Sequence, residues 1–364
     1  MNVTEERLAA VRSLLEQWEV DGIVVTYGDN YRWLSGFTGT NCTLVVTADQ
    51  ALLGTDFRYW EQAERQSPEF ELVHMGRGEQ FAQFVDLVKM VGGGRLVIEG
   101  SHVSIAKFRA WKKECADVEG VAFVARTTTV EGMRMVKTAA EIEMIREAAA
   151  ITDAVMAQVN DLAKVGMTEK GLAWELEKRM REMGADDMAF DVIVAAGENG
   201  ALAHHRPSDR PLQEGDSIVI DMGAKLNGYH SDLTRSFHMG ENPDDKFWYV
   251  YNLVHMAQKN ALENMKAGMT GIEIDALARD VIADAGHGDA FGHSLGHGVG
   301  LDIHEGPSLS FVSKPKVMAG SVVTVEPGVY LSGWGGVRIE DLVVVTKHGV
   351  EFLSHCPKTP IIKM

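Results

Sequence analysis

Cysteine is scarce: Cys42, Cys115 and Cys356 are the three found in 364 residues. They are too few and too scattered for a disulfide framework or a CxxC motif, and three reduced thiols fit the cytoplasm. Long hydrophobic runs are missing as well. No stretch of about 18 apolar residues is present, which argues against a membrane span. The opening MNVTEERLAAVRSLLEQWEV carries acids where a secretory leader needs a basic region, and it has no uninterrupted apolar segment. Basic residues are in deficit, 35 Lys and Arg against 52 Asp and Glu, for a formal charge of −17. That balance argues against nucleic acid or an anionic membrane surface as partner. Neither GxGxxG nor the P-loop pattern occurs. VGGGR at 91–95 precedes a strand instead of following one, so it reads as a turn.

What remains is ordinary globular composition, 45% hydrophobic and 24% charged, in a chain long enough for two domains. Leu8, Val11, Leu15 and Trp18 recur at helical spacing. Short β-branched runs follow at 21–27, 42–48 and 95–100, with a helical pattern around Phe81 to Val91 between the last two. This alternation predicts a smaller α/β domain over 1–129. The text ARTTTVEGMRMVK leads into a second domain over 130–364. There Thr138 and Glu141 form a capping box ahead of a helical face, and a further helix over 168–185 ends at a glycine. Strands and glycine-rich turns dominate from 187 on, broken by helical stretches near 244–266 and 270–285. The fold class predicted is α+β.

Two hairpins each carry two acids. In DSIVIDMGAKLNGYHSDLTRSFHMG (216–240), Asn227-Gly228 is a strong two-residue turn signal. That register sets Asp232 opposite Gly223, on the same face as Asp221. In SVVTVEPGVYLSGWGGVRIEDLVVV (321–345), Glu326 and Glu340 lie symmetrically about Gly333, and Pro327 points to an early strand end. Ionised acids inside β-branched strands need partners. Taken singly, each could face solvent or pair with Arg235 or Arg338. Four carboxylates brought together would raise one another's pKa, and two divalent cations would cancel that charge. Carboxylates with a single imidazole suit Mn²⁺, Co²⁺ or Zn²⁺.

The imidazole is offered by HSLGHGVGLDIHEG (293–306), which holds His293, His297 and His304. Gly296 and Gly298 flank His297 and would let the backbone approach a ligand closely. HExxH is absent; HEGPS at 304–308 fails it. His204 and His205 form a further pair, with His204 seventeen residues before Asp221. His230 reads as a neighbour of the acids, and His74, His287 and His348 as structural.

Together, IDMGAKLNGYHSDLTR, HSLGHGVGLDIHE, VEPGVY and GVRIED resemble the motifs of the pita-bread metallopeptidases: methionine aminopeptidase, Xaa-Pro aminopeptidase, prolidase and creatinase. NYRWLSGFTGTNCTLVV and TDFRYWEQA resemble the creatinase/prolidase N-terminal domain. The resemblance implies a pita-bread fold for the C-terminal domain and five metal ligands, Asp221, Asp232, His297, Glu326 and Glu340. Asp232 and Glu340 would bridge two divalent ions, most often Mn²⁺ in this family. A hydroxide between the ions would be the nucleophile. Glu326 would also shuttle its proton, while His204 and His304 would stabilise the tetrahedral intermediate. His293 and Arg338 would shape the pocket for proline.

Within the family, creatinase lacks this ligand set, and methionine aminopeptidase usually lacks so large an N-terminal domain. Proline-containing peptides are therefore the expected partners. Several prolidases carry an arginine where this chain has Ser308, so Xaa-Pro aminopeptidase is favoured over Xaa-Pro dipeptidase. Relatives of this type are often homodimers, and the same is expected here. A metal-free binding module of the same fold would show missing ligands and often a basic surface. This chain has neither.

Overall fold

A computed structural model describes residues 2–78 and 82–363. It divides into two compact units, Met1–Arg134 and Met135–Met364. The sequence reading divided the chain after residue 129. In the structure the short helix Glu131–Arg134 goes with the first unit, because Glu131 accepts a hydrogen bond from Asn30 Nδ2 at 2.7 Å and Arg134 donates one to Asn30 Oδ1 at 2.7 Å.

In the first unit, helix α1 (Val3–Gln17) starts at a capping box on Asn2 and buries Leu8, Val11 and Leu15. Among the described residues of this unit, six strands form one mixed sheet: β1 (Gly22–Val25), β2 (Thr43–Thr47), β3 (Ala51–Thr55), β4 (Glu71–His74), β5 (Arg95–Glu99) and β6 (Ala122–Arg126), in the order β4-β3-β2-β1-β5-β6. Central β1 is buried along its whole length, as its continuous apolar text requires. The helix expected around Phe81 begins at Phe84 and runs to Met90, with Phe81 itself outside the described residues. Gly92, Gly93 and Gly94 all have positive φ, which makes the glycine run a turn.

The second unit opens with helix α2 (Ala139–Met156), whose capping box on Thr138 and Glu141 forms as the sequence predicts. Helix α3 (Glu169–Glu182) follows, capped by the Thr168 side chain. Both pack on a sheet containing β7 (Ile193–Ala196), β8 (Ser217–Met222) and β9 (Leu233–Met239) through Val155, Leu172, Leu176 and Ile220. Helices α4 (Asp245–Asn264) and α5 (Gly271–Asp284) cover a second sheet containing β10 (Gly296–Gly298), β11 (Glu305–Leu309), β12 (Val322–Val325) and β13 (Asp341–Val345) through Val254, Ile274, Val323 and Val343. Asp221 lies on β8 and His297 on β10, while Asp232, His304, Glu326 and Glu340 stand immediately beside the ends of β9, β11, β12 and β13. No helix among the described residues is long and apolar enough to cross a membrane, and all three cysteines are buried and free.

Candidate active site

The first hairpin turns as predicted. Asn227 and Gly228 have φ of 49° and 80°, the positive pair that a two-residue turn of this kind needs. One register runs through the whole hairpin, pairing Lys225 with His230 near the turn and Asp221 with Thr234 farther on. Between these pairs the ladder breaks at Gly223 and Asp232. A Cβ on Gly223 would collide with the Ser231 carbonyl, so the close crossing requires glycine.

The second hairpin repeats the device. Val325 pairs with Asp341 and Gly328 with Arg338, again in one register, with Glu326 and Glu340 in the break between two sheets. Freed from the ladder, their backbone groups bond elsewhere. Glu326 N–H donates to the Leu295 carbonyl at 2.8 Å, and Glu340 N–H to the Thr234 carbonyl at 3.1 Å. These two bonds tie the second hairpin to the histidine segment and to the first hairpin, and so bring all five expected ligands together.

Oxygens of Asp221, Asp232 and Glu340 lie within 4.8 Å of one another. His297 Nε2 lies 3.5 Å from Asp232 Oδ2 and 3.4 Å from Glu326 Oε1. The five thus form two overlapping groups that share Asp232. Burial, reinforced by Glu340, Asp221 and Glu326, pushes the Asp232 carboxyl well above its ordinary value. Burial with Glu326 and Asp221 does the same to Glu340. Glu326 is pushed up to about 7 by burial, against the pull of the Arg338 guanidinium.

Two observations show that this cluster suits divalent cations. Asp221 Oδ1 and Glu340 Oε1 are buried and have no hydrogen-bond partner among the described residues, a state that is expensive for an anionic oxygen unless a cation satisfies it. The second concerns the His297 tautomer. Its Nδ1 lies 3.1 Å from the Gly298 carbonyl, which can only accept, so the proton sits on Nδ1. Burial lowers the His297 pKa, which keeps the ring neutral. A bare Nε2 lone pair therefore faces two carboxylate oxygens, an arrangement that a metal ion turns from repulsive to attractive.

The glycines beside His297 also have a packing role. A Cβ on Gly296 would strike the backbone of Thr324, and one on Gly298 the backbone of Gly306. They let β10 fit tightly between β11 and β12, and Gly296 also lines the site cavity.

Arg338 ties the acids to the substrate-facing wall. Its Nη2 donates to Asp221 Oδ2 at 2.7 Å, its Nε to Thr234 Oγ1 at 3.0 Å and its Nη1 to the Tyr330 hydroxyl at 2.8 Å. Thr234 in turn donates to Glu340 Oε2 at 2.7 Å. Having accepted from Arg338, Tyr330 donates to His293 Nε2 at 2.9 Å, while His293 Nδ1 bonds the Ser294 carbonyl at 2.8 Å. Burial and nearby Arg338 bring His293 down to about 4, so the ring stays neutral. Tyr330 and Thr234 escaped the sequence reading. Tyr330 stands inside VEPGVY, four residues after Glu326, but an alternating strand gives no sign of which tyrosine faces a site. Arg235, the other arginine considered for pairing with the acids, bonds Asp341 instead at 2.8 Å.

The walls are anchored from behind. Buried Glu169 accepts from Ala196 N–H (2.8 Å), Asn199 Nδ2 (3.0 Å), Ser208 N–H (2.9 Å) and Ser208 Oγ (2.6 Å), and His205 Nε2 lies 2.8 Å away. It fixes the loop that carries His204. Buried Asp275 accepts from Arg279 and from Leu295 N–H, and Arg279 also bonds the His293 carbonyl at 2.7 Å. His230 is held to the Gly300 carbonyl at 3.1 Å, away from the ligand cluster.

A cavity of about 540 Å³ opens over the cluster, lined by Asp221, Asp232, His297 and Glu326 together with His204, His293, His304 and Arg338. Ser308 also lines it, as does Arg206, a residue the sequence reading passed over. The His304 ring sits edge-on to His297, with centroids 4.3 Å apart. All the residues expected at the site therefore meet here, with Glu340 buried beneath.

Residues 143–347 match metallopeptidase family M24, and residues 7–136 match the creatinase/prolidase N-terminal domain. The chain belongs to metallopeptidase family M24. Its architecture is accordingly a creatinase/prolidase N-terminal domain followed by a pita-bread domain, α+β overall. It is 35% identical to an Xaa-Pro dipeptidase of Pyrococcus furiosus, over 96% of this chain and 98% of that one. Among solved structures, an Xaa-Pro dipeptidase from Bacillus anthracis superposes with a TM-score of 0.93 at 38% identity, covering 98% of this chain and 99% of that one. An X-Pro aminopeptidase from Thermotoga maritima superposes with a TM-score of 0.86 at 37% identity, covering 96% and 99%. The M24 assignment makes the chain a metal-dependent hydrolase of the prolidase and Xaa-Pro peptidase group.

Proposed function

We propose that this M24 peptidase removes the N-terminal residue from peptides whose second residue is proline, acting as an Xaa-Pro aminopeptidase. The observation that carries a hydrolytic metal site is the pair of unpartnered buried oxygens, Asp221 Oδ1 and Glu340 Oε1, within a group of five ligand side chains. Asp221, Asp232, His297, Glu326 and Glu340 would hold two divalent cations, Mn²⁺ by preference, with Asp232 and Glu340 shared between them. Such a pair supplies a water nucleophile at neutral pH and polarises the scissile carbonyl.

The chain's own groups do the rest. Glu326, which lines the cavity, takes a proton from the attacking water and passes it to the departing proline nitrogen. His204 and His304 donate hydrogen bonds to the oxygen on which charge develops. Proline offers no N–H at this bond, so recognition falls to the shape of the wall that includes His293 and Arg338, both held by the Tyr330 hydroxyl.

Ser308 in the cavity wall favours the aminopeptidase reading, since it offers no guanidinium for a dipeptide's carboxylate. The second reading, Xaa-Pro dipeptidase, draws on Arg206 in the same cavity and on the similarity to Xaa-Pro dipeptidases. The test is to strip the protein with chelator, restore Mn²⁺, and compare Ala-Pro with Ala-Pro-Ala. Preferred cleavage of the tripeptide is expected. Dominant cleavage of the dipeptide would establish the second reading, and metal-independent or absent cleavage of both would remove the proline assignment.

A further inference from the structure

The site cavity shares part of its wall with a neighbouring cavity. Asp191, Val192, Arg206 and Pro207 line it and also line a second cavity of about 260 Å³. The second cavity contains none of the metal-binding acids. Its far side is helix α3, which contributes Lys170, Trp174 and Glu177. This helix already has a core face in Leu172, Leu176 and Met180, and Trp174 lies off that face with 63% of its surface exposed. A lone exposed apolar side chain is unremarkable in itself. This one borders a cavity that shares four lining residues with the site cavity. Beside it, Arg206 is largely exposed and only loosely paired, 4.0 Å from Asp191.

An exopeptidase that cuts after the first residue holds that residue and the next in the site. Whatever follows must leave across a wall, and the shared wall leads to an indole face and a guanidinium. We infer that the second cavity is a subsite for peptide residues downstream of the proline, where Trp174 stacks on an apolar or aromatic side chain and Arg206 donates to a peptide carbonyl or a terminal carboxylate. This rests on the Xaa-Pro aminopeptidase reading and deepens it: the substrates are peptides of at least three residues, with an apolar residue following the proline-proximal positions.

The test compares Ala-Pro, Ala-Pro-Ala and Ala-Pro-Ala-Phe on the Mn²⁺-loaded enzyme and on Trp174→Ala and Trp174→Phe. For Ala-Pro-Ala-Phe, Trp174→Ala is expected to raise KM about three- to tenfold with kcat little changed, and Trp174→Phe to recover most of the loss. Kinetics on Ala-Pro stay as in the wild type. A KM change equal across all three peptides, or none on the tetrapeptide, overturns the subsite. Wild-type enzyme that cleaves only Ala-Pro also overturns it and leaves the Xaa-Pro assignment standing. Wild-type enzyme that cleaves none of the three overturns that assignment and the subsite with it.

Discussion

Two kinds of buried carboxylate sit a few residues from the same cavity. Glu169 is enclosed by donors, and its hydrogen bonds from Ser208, Ala196, Asn199 and His205 outweigh the effect of burial, so its carboxyl is held below the ordinary value. Asp232 and Glu340 are as deeply buried but face other acids, and their carboxyls are pushed well above it. Burial alone therefore does not decide whether a carboxylate is architecture or site; what its lone pairs meet does. Glu169 has its partners within the chain. The site acids have lone pairs left over, and these are what a cation would satisfy. This contrast also separates the two functions in energy: the fold is strained where metal is to bind and relaxed where the walls are anchored.

The contrast is broken most severely at Asp232. Asp232→Asn replaces one oxygen of the side chain shared by both ligand groups with an NH₂ and abolishes its negative charge on metal, and kcat/KM is expected to fall on the order of a thousandfold or more, with loss of bound divalent ion by elemental analysis. The same change removes a group whose ionisation the metal-free cluster opposes, so the chelated variant is expected to melt no lower than the chelated wild type. A variant that kept full metal and turnover would show that Asp232 is an ordinary buried acid.

Glu169→Gln tests the other side. It keeps the shape but replaces an acceptor of several bonds with an amide whose NH₂ meets donors. A loss of about 2 kcal/mol in denaturant unfolding is expected, with metal content unchanged. Turnover is expected to fall modestly, because the loop anchored by Glu169 carries His204. Loss of metal without loss of stability would reverse the assignment of the two classes.

Much of this was legible in the text of the chain. Asn227-Gly228 set the register that brings Asp221 beside Asp232 because a two-residue turn leaves no freedom of pairing. The symmetry of Glu326 and Glu340 about Gly333 held across a three-residue connection, 332–334, because the strands on either side of it keep one register. The helix start at Thr138 was readable from local hydrogen-bond chemistry, and the next helix from its length and closing glycine, with its Thr168 cap first seen in the structure. Where the reading fell short, the determinant was long-range. Gly296 and Gly298 read as clearance around a ligand, and that Thr324 and Gly306 also demand their missing side chains is visible only with the neighbouring strands in place. Tyr330, Thr234 and Glu169 act through partners distant in sequence, as between Glu169 and Ser208 or Arg338 and Thr234, and no local period announces such pairs.

The mildest perturbation, pH, should move the two classes in opposite directions. For Glu326 the folded value of about 7 exceeds the ordinary 4.5. Between those values the folded, metal-free chain keeps a proton that the unfolded chain has already lost, so raising the pH through this window lowers stability. Asp232 and Glu340, also raised, act in the same sense. Glu169 has a depressed folded value, so its contribution is present above the ordinary carboxyl range and is lost only as pH falls below it. Melting of the chelated protein is therefore expected to drop by about 5 °C from pH 5 to pH 7.5. Saturating Mn²⁺ should remove that drop, because a cation in the cluster takes the place of the proton. A metal-free protein whose melting temperature rises over this window would mean that the site acids are already compensated within the chain, and the distinction between the two kinds of carboxylate would fall.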